Sequence, residues 1–206
     1  MSTDQTRPAS NSLRLVALAL AALMVLTRFG HFGELSRLPD ASWAVFFLGG
    51  LLLRDARAFA AFFGLAWIVD LGSVASGTPA DCFSMAYLFL VPAYGALWFA
   101  GRRVAPWFAG EIGASAARAA VAASSLRRVA ALSLALVAGV TAAFVVSNVG
   151  YWAFGSGFAP MSAEVYAAQV ARFLPGYLLA SAIYVAAALA AQAVASRLVG
   201  EARPEA

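Results

Sequence analysis

Charged positions divide this chain unevenly, and the uncharged stretches between them predict its helices. Thirty-five residues separate Arg128 from Glu164, 24 separate Arg172 from Arg197, and 20 separate Asp81 from Arg102. A membrane-spanning helix needs roughly 20 predominantly apolar residues to cross about 30 Å of hydrocarbon, so each stretch accommodates one. Towards the N-terminus the runs shorten: 13 residues in Leu15–Thr27, 13 in Ala41–Leu53 and 12 in Ala58–Val69. Phe29, Gly30 and a snorkelling Arg14 lengthen the first. No small-x-small cleavage site precedes a polar region there, so the run reads as a retained helix and not a signal peptide. With Asp70 inside the membrane domain, the third run extends to about Val74. The pattern therefore predicts an all-α integral membrane protein. It is a single domain over 1–206, a bundle of six transmembrane helices near 13–32, 41–53, 57–74, 83–101, 129–154 and 172–197. The second and third form a tight hairpin through Arg54-Asp55-Ala56-Arg57, and a connector over 102–128 joins the fourth to the fifth.

Composition agrees. The chain is 63% hydrophobic and 12% charged, against about half and a quarter in soluble domains. Its mean hydropathy is +0.81. An ordinary soluble globule, a nucleic-acid-binding module and a disordered chain are excluded. The net charge of +4 comes from arginine without lysine. In six spans, eleven arginines (7, 14, 54, 57, 102, 103, 118, 127, 128, 197, 203) lie on the face of the termini and three (28, 37, 172) on the other. The positive-inside rule then puts both termini on the cytoplasmic side, with the chain crossing the membrane several times.

The connector is rich in Ala, Ser and Arg, with Trp107 and Phe108 near its start. It reads as a cytoplasmic link whose middle lies against anionic headgroups, or as a docking surface for a partner. Ala17 and Ala21 are spaced for close helix–helix approach. There is no internal repeat and no phosphate-binding glycine loop, HExxH or carboxylate cluster. If ATP drives any transport, a separate subunit must supply it.

Polar chemistry gathers on the outward side. Gly72, Gly77 and Pro79 break the third helix, and Asp81 or Ser84 can cap the fourth. Cys82, the single cysteine, then lies at the first turn, where the helix dipole favours a thiolate. A thiolate there is a soft metal ligand or a nucleophile, while a lone cysteine equally serves as a small packing residue. Asp70 is a carboxylate near a membrane boundary, either functional or reaching water at a helix end. His31, the single histidine, is a solvated loop residue or a ligand. Tyr87 follows Cys82 by five residues and is placed to line the same cavity more deeply. Asn148, Tyr151 and Trp152 form a polar-aromatic cluster, continued by Phe154, Phe158 and Tyr166. They read as an interfacial aromatic belt or as the wall of a pocket for a large, flat, partly apolar ligand.

Small size, six spans and cytoplasmic termini resemble the substrate-binding (S) components of energy-coupling factor transporters. The stretch Thr78-Pro79-Ala80-Asp81-Cys82-Phe83-Ser84, followed by Tyr87, resembles the BtuM family of vitamin B12 transporters. The resemblance implies that cobalamin binds in an outward cavity, as transported ligand and with no other cofactor. It also implies that Cys82 ligates the corrinoid cobalt, with Tyr87 and Asp70 as accompanying polar residues. The Ala17/Ala21 face would meet the transmembrane coupling subunit of an energy-coupling module, although some family members work without one. A thiolate ligand would push electron density through cobalt and loosen an upper cyanide, so Cys82 is the candidate catalytic residue for decyanation. Three other readings stand beside this one: an S component for a flavin or thiamin, a membrane thiol oxidoreductase, or an assembly protein with no small ligand. A lone cysteine opposes the oxidoreductase, since thiol exchange normally uses a resolving partner.

Overall fold

The computed structural model describes residues 7–28, 38–77, 84–108, 118–155 and 161–201. Seven α-helices run through them: α1 (Arg7–Arg28), α2 (Ser42–Leu52), α3 (Ala56–Ala75), α4 (Leu90–Val104), α5 (Arg118–Phe154), α6 (Ala163–Ala171) and α7 (Leu174–Glu201). Two 3₁₀ turns, Met85–Phe89 and Ala105–Phe108, flank α4. The protein is all-helical across the described residues. Among the described residues, three helices are long and apolar enough to cross a membrane: α3, α5 over Ser125–Phe154, and α7 over Leu174–Val194.

Local chemistry sets the helix ends. Asp55 accepts from the Arg57 amide at the start of α3, and Gly77 (φ 105°) takes the left-handed conformation just past its end. Ser84 accepts from the Ala86 amide and starts the turn leading into α4. Pro92 and Pro175 fall in the first turns of α4 and α7, where a missing amide donor costs nothing.

The short helix α2 is the hub. Every residue from Ser42 to Leu51 is buried, with α1, α3, α4 and α7 packed around it. A helix apolar on all sides belongs inside a bundle, and this one is. Phe46 stacks on Tyr94 at 4.2 Å between centroids, and Phe59 meets both Phe46 and Trp98 edge-on at 5.5 Å. Glycines bring the backbones together. A methyl on Gly50 would land on the Trp98 carbonyl oxygen, and one on Gly101 on the Phe47 carbonyl oxygen. On its other side α4 lies against α5, where Gly139 faces Ala100 and Gly150 faces the Phe89 ring.

Several boundaries differ from the sequence pattern. α2 has 11 residues; at 1.5 Å per residue it is about 16 Å long, roughly half the hydrocarbon thickness. The fourth predicted helix opens as a 3₁₀ turn and continues to Val104. The predicted connector contains the end of α4, a second 3₁₀ turn and the first turns of α5, with 109–117 outside the described residues. Alanine and arginine are strong helix formers, so α5 runs on well before its apolar stretch begins. The fifth loop holds a nine-residue helix, α6, that hydropathy did not mark.

Candidate functional site

The ends of α1, α3 and α4 and the start of α2 meet in a buried polar cluster organised by Arg28. Its Nε and Nη2 donate to the two oxygens of Asp70, each at 2.6 Å, in a bidentate fork. Its Nη1 donates to Tyr94 Oη at 2.9 Å, Ser42 Oγ at 3.0 Å and Asp40 Oδ2 at 3.3 Å. Tyr87 Oη donates to Asp70 Oδ2 at 2.5 Å, bringing in the 3₁₀ turn. Ser42 passes the chain on, donating to Asp40 Oδ1 from both its amide and its hydroxyl. Thr27 Oγ1 accepts from the Ala41 amide at 3.0 Å and so fixes the end of α1 to the start of α2.

Burial makes this cluster consequential. Arg28 is 7% exposed and Asp70 is 4% exposed, a depth at which an unpaired charge is not tolerated. Among the described residues no buried side-chain nitrogen or oxygen lacks a hydrogen-bond partner. One guanidinium faces two carboxylates, so the formal charge of the cluster is negative. What the arrangement does is lock four helices and one turn into a single geometry at one end of the bundle.

A second polar cluster lies where α5 meets α6. Tyr166 Oη donates to Asn148 Oδ1 at 3.0 Å, while Asn148 Nδ2 donates to the Phe144 carbonyl. Trp152 Nε1 donates to the Met161 carbonyl at 3.0 Å. Burial, helped by nearby Tyr151, pushes the Tyr166 phenol above its ordinary pKa, so it remains a neutral donor at physiological pH. The 3₁₀ turn Met85–Phe89 links the two clusters: Tyr87 enters the first, and Phe89 packs on Gly150 and Phe154 beside the second.

Of the residues singled out from sequence, Asp70 and Tyr87 come together directly. Asn148, Tyr151 and Trp152 share the end of α5, where Asn148 and Trp152 bond within the fold and Tyr151 is exposed. Cys82 and His31 lie outside the described residues. Among the described residues, no three His, Cys, Asp or Glu side chains gather as a metal-binding group. Four members of the Arg28 cluster were not singled out: Arg28 itself, Asp40, Ser42 and Tyr94. A signal existed. An arginine ending one apolar run and an aspartate interrupting another are complementary charges that hydrocarbon forces together.

Tyr87→Phe tests the link between turn and cluster. Removing a donor to a charged acceptor is expected to destabilise the protein by about 1.5–3 kcal/mol. Thermal unfolding in detergent reads this loss, and Tyr166→Phe, whose acceptor is a neutral amide, is expected to lose less.

No family model matches the chain, and no curated protein sequence matches it.

Proposed function

We propose that this chain is a six-span inner-membrane protein of the S-component type, with cytoplasmic termini. In this reading it binds cobalamin at the extracytoplasmic end of the bundle and moves it inward. Cys82 is the axial cobalt ligand. The observation that carries the reading concerns the residues that follow Cys82 in the sequence: Ser84 caps the 3₁₀ turn, and Tyr87 in that turn bonds Asp70 in the Arg28 cluster. Positions two and five residues after Cys82 are thus fixed by hydrogen bonds, and fixed sequence neighbours suit the presentation of one donor atom to one metal. Cobalt in a corrin has four equatorial nitrogens, so a single protein ligand completes the lower face. The exposed aromatics at the end of α5, Tyr151 and Trp152, suit the flat, partly apolar body of such a ligand.

With Cys82 bound, electron density reaches the upper axial position and weakens a cyanide there. Two small external thiolates reduce two such centres from Co(III) to Co(II), one electron each, and couple to a disulfide, while each cyanide leaves as the anion. An energy-coupling module would supply any ATP-driven step, through the Ala17/Ala21 side of α1. Both alanines are half-buried, and Ala21 packs against the core, so the coupling contact would also use the leucines exposed beside them, Leu15, Leu18 and Leu26.

The test is an absorption spectrum of the purified protein incubated with cyanocobalamin. The expected result is a shift of the corrin bands that disappears in Cys82→Ala and Cys82→Ser. An unshifted spectrum, or an identical shift without the thiol, would overturn the ligation. A preparation that instead retained a flavin or thiamin would favour another vitamin.

A further inference from the structure

The end of the bundle opposite the Arg28 cluster has a different character. The hydrogen bonds of that cluster place the C-terminal ends of α1 and α3 beside the N-terminal ends of α2 and α4. The other ends of the same helices then point the opposite way, and each carries or adjoins arginine. Arg14 is on the first half of α1, Arg54 and Arg57 join α2 to α3, and Arg102 and Arg103 sit in the last turn of α4. Gly139 of α5 packs beside Ala100 of α4. Arg127 lies twelve residues earlier on α5, which at 1.5 Å per residue is about 18 Å further out in the same direction. All six of these arginines are exposed. Asp55, the acid between Arg54 and Arg57, spends a carboxylate oxygen on the Arg57 amide. The opposite end pairs its buried arginine with two carboxylates.

We propose that this arginine-bearing end is a binding surface for the headgroups of anionic phospholipids. Three features carry the assignment. The guanidiniums stand at the same end of several helices, with Arg127 further out along α5 than Arg102 and Arg103, so they can meet phosphates at different depths of the headgroup layer, each through a planar fork. The chain holds Arg54 at φ 61°, a left-handed conformation ordinarily left to glycine, and still presents a cation there. On α5, the exposed apolar residues Leu126 and Val129 bracket the pair Arg127 and Arg128. Alternation of cation and hydrocarbon along one helix matches the boundary between headgroup and acyl chain better than it matches bulk water. The 37 residues of α5 give it a length of about 55 Å, more than the roughly 40–45 Å of a bilayer with its headgroups, so its first turns must lie among or beyond them.

The surface is independent of Cys82, and its failure would leave the cobalamin reading untouched. The test is native mass spectrometry of the full chain in mixed micelles holding equal phosphatidylglycerol and phosphatidylcholine. Phosphatidylglycerol is expected to be retained roughly tenfold over phosphatidylcholine, with the preference falling as salt is raised. A triple Arg57→Gln, Arg103→Gln, Arg127→Gln variant is expected to bring the ratio near parity, and lysine at the same positions to preserve most of it. Parity in the native chain, or an unchanged ratio in the glutamine variant, would overturn the proposal. Displacement of the lipid by millimolar inorganic phosphate at constant ionic strength would overturn it too, marking a site for a free anion. If the triple variant does not fold, Arg102→Gln with Arg103→Gln alone reads the same ratio.

Discussion

Arg28→Met is expected to destabilise the bundle by about 3–5 kcal/mol, because it leaves a buried carboxylate with no cation. Asp70 loses both limbs of its fork, while Tyr94, Ser42 and Asp40 lose a shared donor. In detergent this corresponds to a fall of roughly 6–20 °C in the unfolding midpoint for a chain of this size. The informative comparison is with Arg28→Met combined with Asp70→Leu. When both charges go, no ion remains buried alone, so the double variant is expected to recover a large part of the loss. Equal losses in the single and double variants would show that packing around Arg28 sets the stability, and not its pairing.

A methyl group at Gly50 is expected to force α2 away from α4. Its carbon would coincide with the carbonyl oxygen of Trp98, which belongs to the backbone and cannot rotate aside. α2 and α4 would have to separate, and overpacking of this kind costs about 1–3 kcal/mol. Gly101→Ala meets the Phe47 carbonyl in the same way from the other helix. Gly95→Ala is the control. Nothing lies within 4 Å of its added carbon, and replacing glycine inside a helix gains up to about 1 kcal/mol. Thermal unfolding of the variants should therefore show opposite signs. If Gly50→Ala and Gly95→Ala shift the midpoint alike, the close approach of α2 and α4 is not what the glycines provide.

Hydropathy marked the long apolar helices and missed what joins them, for a physical reason. Long apolar stretches are visible because each residue contributes independently, and so α3, α5 and α7 were legible from the spacing of charges. The Arg28 cluster draws on positions 28, 40, 42, 70, 87 and 94, which only tertiary packing brings together. Asp70 stood out because a carboxylate among apolar residues is costly. Arg28 was counted as an outward loop charge because it sits at the edge of its run. Tyr94 was hidden inside a long apolar stretch. The short run at Ala41–Leu53 was read as a span because it is apolar throughout, yet that same uniformity suits a helix enclosed by its neighbours. Likewise α6 has nine residues and exposed polar positions, so no hydrophobic signal marks it.

The Arg28–Asp70 fork also bears on how the chain is made. In a bilayer, α3 on its own would carry an uncompensated aspartate, at a cost below the roughly 2.5–3.5 kcal/mol of a central position. Its partner belongs to α1, which leaves the ribosome first. The nascent protein therefore has the neutralising guanidinium already waiting when the carboxylate emerges. A permuted gene that delivered α3 ahead of α1 would present the translocation machinery with a bare acid, and should insert that segment less efficiently than the natural order.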